Sequence, residues 1–259
     1  MATYLDDILA AHRARAGDDP RLLDDLIERA RDLPPTRAFA AALAAPGISV
    51  IAEIKRRSPS KGALAGDLVP GVLAKQYAHG GAAALSVLTD EQFFGGSADD
   101  LAQARSAVAL PVLRKDFVVS AADVVDARLM GADAVLLIVA ALDDHELREF
   151  HELAVELELA ALVEAHDEVE VGRALQAGAR LIGVNQRDLV SFAVDPDRAK
   201  RVAASIPPEV LSVAESGIRG PDDARALADA GFDALLVGEH LVTSGDPAAA
   251  VGALVSACS

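Results

Sequence analysis

Short apolar runs recur along the chain at 48–52 (ISVIA), 83–88 (AALSVL), 110–113 (LPVL), 134–140 (AVLLIVA), 159–163 (LAALV), 180–184 (RLIGV), 210–214 (VLSVA) and 234–238 (ALLVG). Each is too short for a typical helix and lacks polar alternation, the pattern of parallel strands covered on both faces. Between them lie amphipathic stretches such as AADVVDARLM and DDHELREFHELAVEL, which open near Asp, Ser or Pro and in several cases close on Gly. Those are helix starts and stops. Strands alternating with helices need right-handed crossovers, which leaves a closed barrel or an open doubly wound sheet. Eight units favour a (β/α)₈ TIM barrel, and no G-x-G-x-x-G or Walker A turn follows the first run. Residues 4–16 and 20–32 carry helical patterns before the first strand. The chain therefore reads as one barrel domain over 1–259, with residues 1–47 as an N-terminal helical extension.

Composition narrows the classes of partner. Lys and Arg number 24 against 40 Asp and Glu, a net charge of −16. That balance repels a phosphate backbone, so no nucleic-acid partner is expected. Aromatic residues make up 3% of the chain and Trp is absent, which removes stacking platforms for bases or sugars. No apolar run approaches the roughly 18 residues of a membrane span, and the N-terminus resembles neither a signal nor a transit peptide. The lone cysteine, Cys258, has no internal partner. A cytoplasmic protein is the expectation.

Chemistry in parallel barrels gathers where strands meet the following loops. The residues there are Glu53 with Lys55, Thr89, Lys115, Glu164, Asn185, Glu215 with Ser216, and Gly238. Glu53 and Lys55 are two apart and so face the same way, toward the barrel axis. Charges converging on one mouth are costly unless paired or used. The loops after the seventh and eighth runs, AESGIRGPDD and LLVGEHLVTSGDP, place glycines where backbone N–H groups can hold a phosphate, with EHLVTS as a short extra helix. None of the six histidines forms a ligand set with another or with the cysteine, so no metal is expected; His166 reads as a surface residue at a helix start.

Seven stretches, AEIKRRSPSKG, SVLTDEQFFGGS, LRKDF, LVEAH, GVNQRDL, AESGI and VGEHLVTSGDP, occur in this order, each at a strand end. With them the chain closely resembles the indole-3-glycerol phosphate synthase family of the tryptophan pathway. The resemblance implies a (β/α)₈ barrel with an N-terminal helical extension and no cofactor. It also implies conversion of 1-(2-carboxyphenylamino)-1-deoxyribulose 5-phosphate into indole-3-glycerol phosphate, carbon dioxide and water. It assigns Lys115 as the general acid of ring closure, Glu164 as the acid–base residue of dehydration, and Lys55 to the substrate carboxylate and to proton donation. Glu53, Asn185 and Glu215 hold hydroxyls and position the lysines. Ser58, Phe94, Phe117, Arg187 and Ser216 fall at substrate-binding positions, the two phenylalanines beside the anthranilate ring, and Ser216, Gly217, Gly238 and Glu239 at the phosphate. The loop RRSPSKG is expected to be a basic, mobile lid. The partner is then a phosphorylated small molecule, with no membrane; oligomeric state, a monomer among the options, and other tryptophan-pathway enzymes as partners are left open.

Neighbouring readings are a related phosphate barrel, such as phosphoribosylanthranilate isomerase or the tryptophan synthase α subunit, and a sensor without catalysis on the same fold. The former reactions have no carboxylate to expel, so the lysine pair argues against them. A glycosidase with paired carboxylates would need sugar-stacking aromatics that the composition lacks.

Overall fold

In the computed structural model the described residues are 3–58, 61–188 and 190–257. Cys258 lies outside them, as do Pro59 and Ser60 at the centre of the expected lid. Among the described residues, eight parallel strands close into a barrel: β1 (Ser49–Ile54), β2 (Ala84–Leu88), β3 (Val112–Lys115), β4 (Ala134–Ile138), β5 (Ala160–Ala165), β6 (Leu181–Asn185), β7 (Leu211–Glu215) and β8 (Ala234–Val237). Neighbours in sequence are neighbours in space, and β1 closes the ring against β8 with Ile51 opposite Leu236. This is the (β/α)₈ barrel that the alternating runs predict.

The strands extend further toward their C-terminal ends than the apolar runs do. β1 continues to Ile54 through Glu53, β3 includes Arg114 and Lys115, and β5 includes Glu164. Hydropathy stops at the first charge, whereas the backbone ladder continues because the barrel mouth has partners for these side chains. Arg114 shows the outer-face version: it is buried, its Nη2 donates to Asp116 Oδ2 at 2.9 Å, and its Nη1 donates to the Asp123 carbonyl at 2.7 Å.

Helices begin where short polar side chains can satisfy their first N–H groups. Ser97 caps α5 (Ala98–Ala107), Ser120 caps α6 (Ala121–Leu129), Asp143 caps α7 (Asp144–Glu156) and Asp167 caps α8 (Glu168–Gln176). Proline opens α4 (Pro70–His79), α10 (Pro221–Asp229) and α12 (Pro247–Ser256). A short α9 (Arg198–Ala203) completes the β6–β7 crossover, and α11 (Glu239–Val242) is the expected extra helix after β8.

The N-terminal segment holds α1 (Tyr4–Gly17) and α2 (Leu23–Arg31), as the periodicity predicts, and a short α3 (Phe39–Leu43) that it does not. FAAAL is too short to display a period, yet Phe39 and Leu43 are fully buried where α3 packs against β1 and β2. Asp133, just before β4, ties this segment to the barrel base. Its buried carboxylate accepts from the backbone N–H of Arg37 at 2.7 Å and of Val112 at 2.9 Å, and pairs with Arg105. Removing it strands two backbone donors and a guanidinium. Asp133→Ala is therefore expected to lower unfolding free energy by on the order of 3 kcal/mol in urea denaturation.

Candidate active site

A cavity of about 600 Å³ opens at the C-terminal ends of the strands. Its floor is a cluster of buried charge. Lys115, the last residue of β3, places Nζ 3.3 Å from Glu164 Oε2 and 3.8 Å from Glu215 Oε2. Glu164 Oε1 accepts from Asn185 Nδ2 at 3.0 Å. Glu164 and Glu215 are 1% and 2% exposed, so both carboxyl groups are almost fully buried. On the adjoining wall Glu53 and Lys55 form an ion pair, as the two-residue spacing predicts.

One ammonium cannot fully neutralise two buried carboxylates beside it. Burial raises the pKa of Glu215 well above the usual carboxylate range, the Glu164 charge adds to that rise, and Lys115 only partly offsets it. Burial pushes Glu164 up as well, but Lys115, His166 and the Asn185 hydrogen bond together hold it below its ordinary value. Lys115 is pushed down by burial and, more strongly, up by Glu164, Glu215 and Glu53. The floor thus sets a lysine held toward its cationic form beside two carboxyl groups biased in opposite directions, Glu164 toward the anion and Glu215 toward the protonated acid.

Two glycines make room for this cluster. A Cβ on Gly183 of β6 would lie 2.0 Å from Glu215 Oε1, and a Cβ on Gly238 would lie 2.2 Å from Glu53 Oε1. Gly238 therefore accommodates the Glu53–Lys55 pair in addition to any approach to phosphate. Gly183 was not among the candidate site residues, although a glycine inside a strand run signals such a close approach.

The other candidates line the same cavity. Phe94 and Phe117 face each other across 6.2 Å at a tilt of 38°. Ser58, Arg187, Ser216, Gly217 and Glu239 lie around the rim. The Ser216–Gly217 turn is left-handed at both residues, with φ of +66° and +73°, and α11 begins on the same cavity with N–H groups that have no carbonyl within the helix. Glu239 turns its carboxylate to Lys61 Nζ at 2.5 Å.

Some expectations need correction. The arginines of RRSPSKG are anchored: Arg56 binds Asp100 at 2.8 Å, and Arg57 donates to the backbone carbonyls of Glu91 and Gln92. Of its cations, Lys61 reaches the mouth. His166 is not a surface residue; it is largely buried between Glu170 and Glu164. The sequence reading also missed that α1 forms a wall of the cavity through Tyr4, Leu5 and Ile8. Beneath them His12 Nε2 donates to Asp90 Oδ2 at 2.9 Å and lies 4.0 Å from Asp116 Oδ1. These three could supply metal ligands. The far oxygens of the two carboxylates, however, accept from Arg114, Thr89 and the N–H groups of Phe93 and Phe94, and Asp116 Oδ1 accepts from the N–H of Phe117, so the trio serves as a hydrogen-bonded latch from α1 to the loops after β2 and β3.

The family model for indole-3-glycerol phosphate synthase matches residues 5–254. The chain belongs to the indole-3-glycerol phosphate synthase family. It is 52% identical over 258 residues to an indole-3-glycerol phosphate synthase of Mycolicibacterium smegmatis, covering 99% of this chain and 95% of that one. It is 51% identical to one of Streptomyces griseus, covering 98% and 96%. Solved structures similar in fold include 3-hexulose-6-phosphate synthase, with TM-score 0.62 at 15% identity over 82% of this chain and 100% of that chain. A thiamine phosphate pyrophosphorylase from Pyrococcus furiosus follows, with TM-score 0.59 at 18% identity over 81% and 94%. At such identities these two show the barrel alone. The family is a decarboxylating lyase of tryptophan biosynthesis. Among the described residues no helix is long and apolar enough to cross a membrane.

The raised pKa of Glu215 has a consequence for stability. A carboxyl whose folded pKa is raised binds its proton more tightly folded than unfolded, so stability falls as pH rises from the ordinary value of 4.5 toward the raised one. Glu215→Gln removes that loss. Urea denaturation at pH 8 is expected to show the variant more stable than the parent, with the gap shrinking toward pH 4.5.

Proposed function

We propose that this chain converts 1-(2-carboxyphenylamino)-1-deoxyribulose 5-phosphate into indole-3-glycerol phosphate, carbon dioxide and water, with Lys115 and Glu164 as its principal proton-transfer groups. The observation that carries the reading is the Lys115–Glu164 pair, 3.3 Å apart on the floor of the cavity, with the Glu53–Lys55 pair on the adjoining wall.

The ring carbon that bears the carboxylate attacks the ketone, and charge develops on the ketone oxygen. The Lys115 ammonium, aimed into the cavity by its place at the end of β3, stabilises that charge and donates a proton. The carboxylate then leaves as carbon dioxide and returns its electron pair to the ring. Departure of the new hydroxyl as water takes a second proton, and a base withdraws one proton as the indole double bond forms. Glu164, anionic and hydrogen-bonded to Asn185, suits this exchange. Lys55 faces the substrate carboxylate and is a second donor, while Glu53 holds the Lys55 ammonium and Glu215 adjoins that of Lys115.

Phe94 and Phe117 offer apolar faces to the anthranilate ring. The N–H groups around Ser216, Gly217, Gly238 and Glu239 suit the phosphate, as a turn and a helix start do elsewhere. Ser58 and Arg187 complete the substrate contacts from the rim. In this reading residues 1–47 are the helical extension of a single barrel domain, and the protein works in the cytoplasm on a phosphorylated small molecule, without a cofactor.

Two substitutions divide the labour. Lys115→Met should cost about 10²-fold or more in turnover, read as ultraviolet absorbance of the indole product. Turnover equal to that of the parent in a folded variant would remove Lys115 from the reaction. Glu164→Gln keeps the shape and removes the charge, so substrate should bind almost normally while product formation slows by about 10² to 10⁴. In single turnover, carbon dioxide release should then be spared more than indole absorbance. Equal slowing of both signals would move Glu164 to an earlier step.

A further inference from the structure

His166 lies outside the roles assigned above, although it adjoins the buried Glu164. It follows β5 by one residue. Its Nδ1 is 3.0 Å from Glu170 Oε2, and the same oxygen accepts the His166 backbone N–H at 2.7 Å. The ring is thereby locked in orientation by the first turn of α8, whose start is fixed by the Asp167 cap. The other ring nitrogen, Nε2, is buried, has no hydrogen-bond partner among the described residues, and lies 3.8 Å from Glu164 Oε1.

A neutral ring would place its proton on Nδ1, against the Glu170 carboxylate. Nε2 would then turn a lone pair toward the Glu164 carboxylate, acceptor against acceptor. A second proton, on Nε2, removes that conflict. The charged groups around the ring are Glu164 from β5, Glu170 from α8, Arg198 from α9 and, beyond Glu164, Lys115 from β3. Burial pushes the imidazole pKa down and Arg198 does so slightly, but the Glu170 hydrogen bond and the two carboxylate charges push it further up, above its ordinary value.

The proposed reaction needs a stored proton. Two protons are delivered, one to the ketone oxygen and one to the departing hydroxyl, and one is recovered as the indole forms. The remaining one balances the carboxylate that leaves as carbon dioxide, and it must be supplied while substrate fills the mouth.

We propose that His166 is a positioning residue that stores this proton as an imidazolium held by Glu170 and passes it from Nε2 to Glu164 Oε1 during turnover. The transfer requires the gap to close by about 1 Å, to ordinary hydrogen-bond length. The ring is left neutral with its Nδ1 proton on Glu170, and solvent recharges Nε2 when product leaves the mouth. This inference rests on the functional reading above, because the proton deficit is that of the decarboxylating reaction.

The test is the pH dependence of kcat in the full chain. The store empties as pH rises through the imidazolium pKa. His166→Asn should therefore reduce kcat about tenfold at low pH, less than loss of a direct proton-transfer group costs, with KM within about twofold. The deficit should vanish at high pH, where the parent ring is neutral too. Glu170→Gln removes the supporting charge and should move the fall of kcat to lower pH. A deficit that stays constant across pH, or a profile that Glu170→Gln leaves in place, would overturn the proposal.

Nuclear magnetic resonance titration of the ring in the unliganded protein separates this from a failure of the functional reading. Both Glu170→Gln and Glu164→Gln should lower the His166 pKa whether or not the substrate is turned over. An unmoved titration overturns the store, while absence of indole product from the parent overturns the functional reading instead.

Discussion

Lys115 lies 3.3 Å from Glu164 and 3.8 Å from Glu215, two almost fully buried carboxyl groups, and much of the mouth is arranged to make that tolerable. One buried ammonium cannot neutralise two carboxylates, so Glu164 is held toward its ionised form while burial and the Glu164 charge bias Glu215 toward its protonated form. Asn185 holds Glu164, and the missing side chain of Gly183 leaves room for Glu215. The Glu53–Lys55 pair needs Gly238 in the same way. Substituting either glycine would displace a charged group, since the added Cβ would fall on a carboxylate oxygen.

The N-terminal segment bears on the chemistry from the opposite side. Tyr4, Leu5 and Ile8 close one wall of the cavity, and His12 fastens α1 to Asp90, near Asp116, the residue next to Lys115. Buried polar groups of this kind cost free energy unless every partner is present, so the latch favours one placement of α1 over others. At the barrel's other end Asp133 gathers Arg37, Arg105 and the start of β3. The segment is thus held at both ends of the barrel by buried carboxylates.

Much of this was legible along the chain. Eight apolar runs separated by capped helices gave the barrel, and the two-residue spacing gave Glu53 and Lys55 a common face. Seven ordered motifs brought Lys115, Glu164, Asn185 and Glu215 to strand ends, where they meet. What could be misread was anything set by a distant partner. Arg56 and Arg57 look like a free basic lid in sequence, but Asp100 and the carbonyls of Glu91 and Gln92 take them up. His166 looks like a helix-start surface residue because Glu170 reads as an ordinary first-turn acid, with nothing local to mark the ring's burial.

The sequence by itself determined the elements and the side of each strand on which a residue stands, because apolar periodicity, caps and alternation act over a few neighbouring residues. Tertiary structure alone decided which charges are buried together, and hence toward which state Glu164 and Glu215 are each biased, where His12 and His166 find partners, and why Gly183 and Gly238 must lack a side chain. Those outcomes depend on distances between residues tens of positions apart, and on the loss of water when the barrel closes over them. Both raise Coulomb energies that remain small in the open chain.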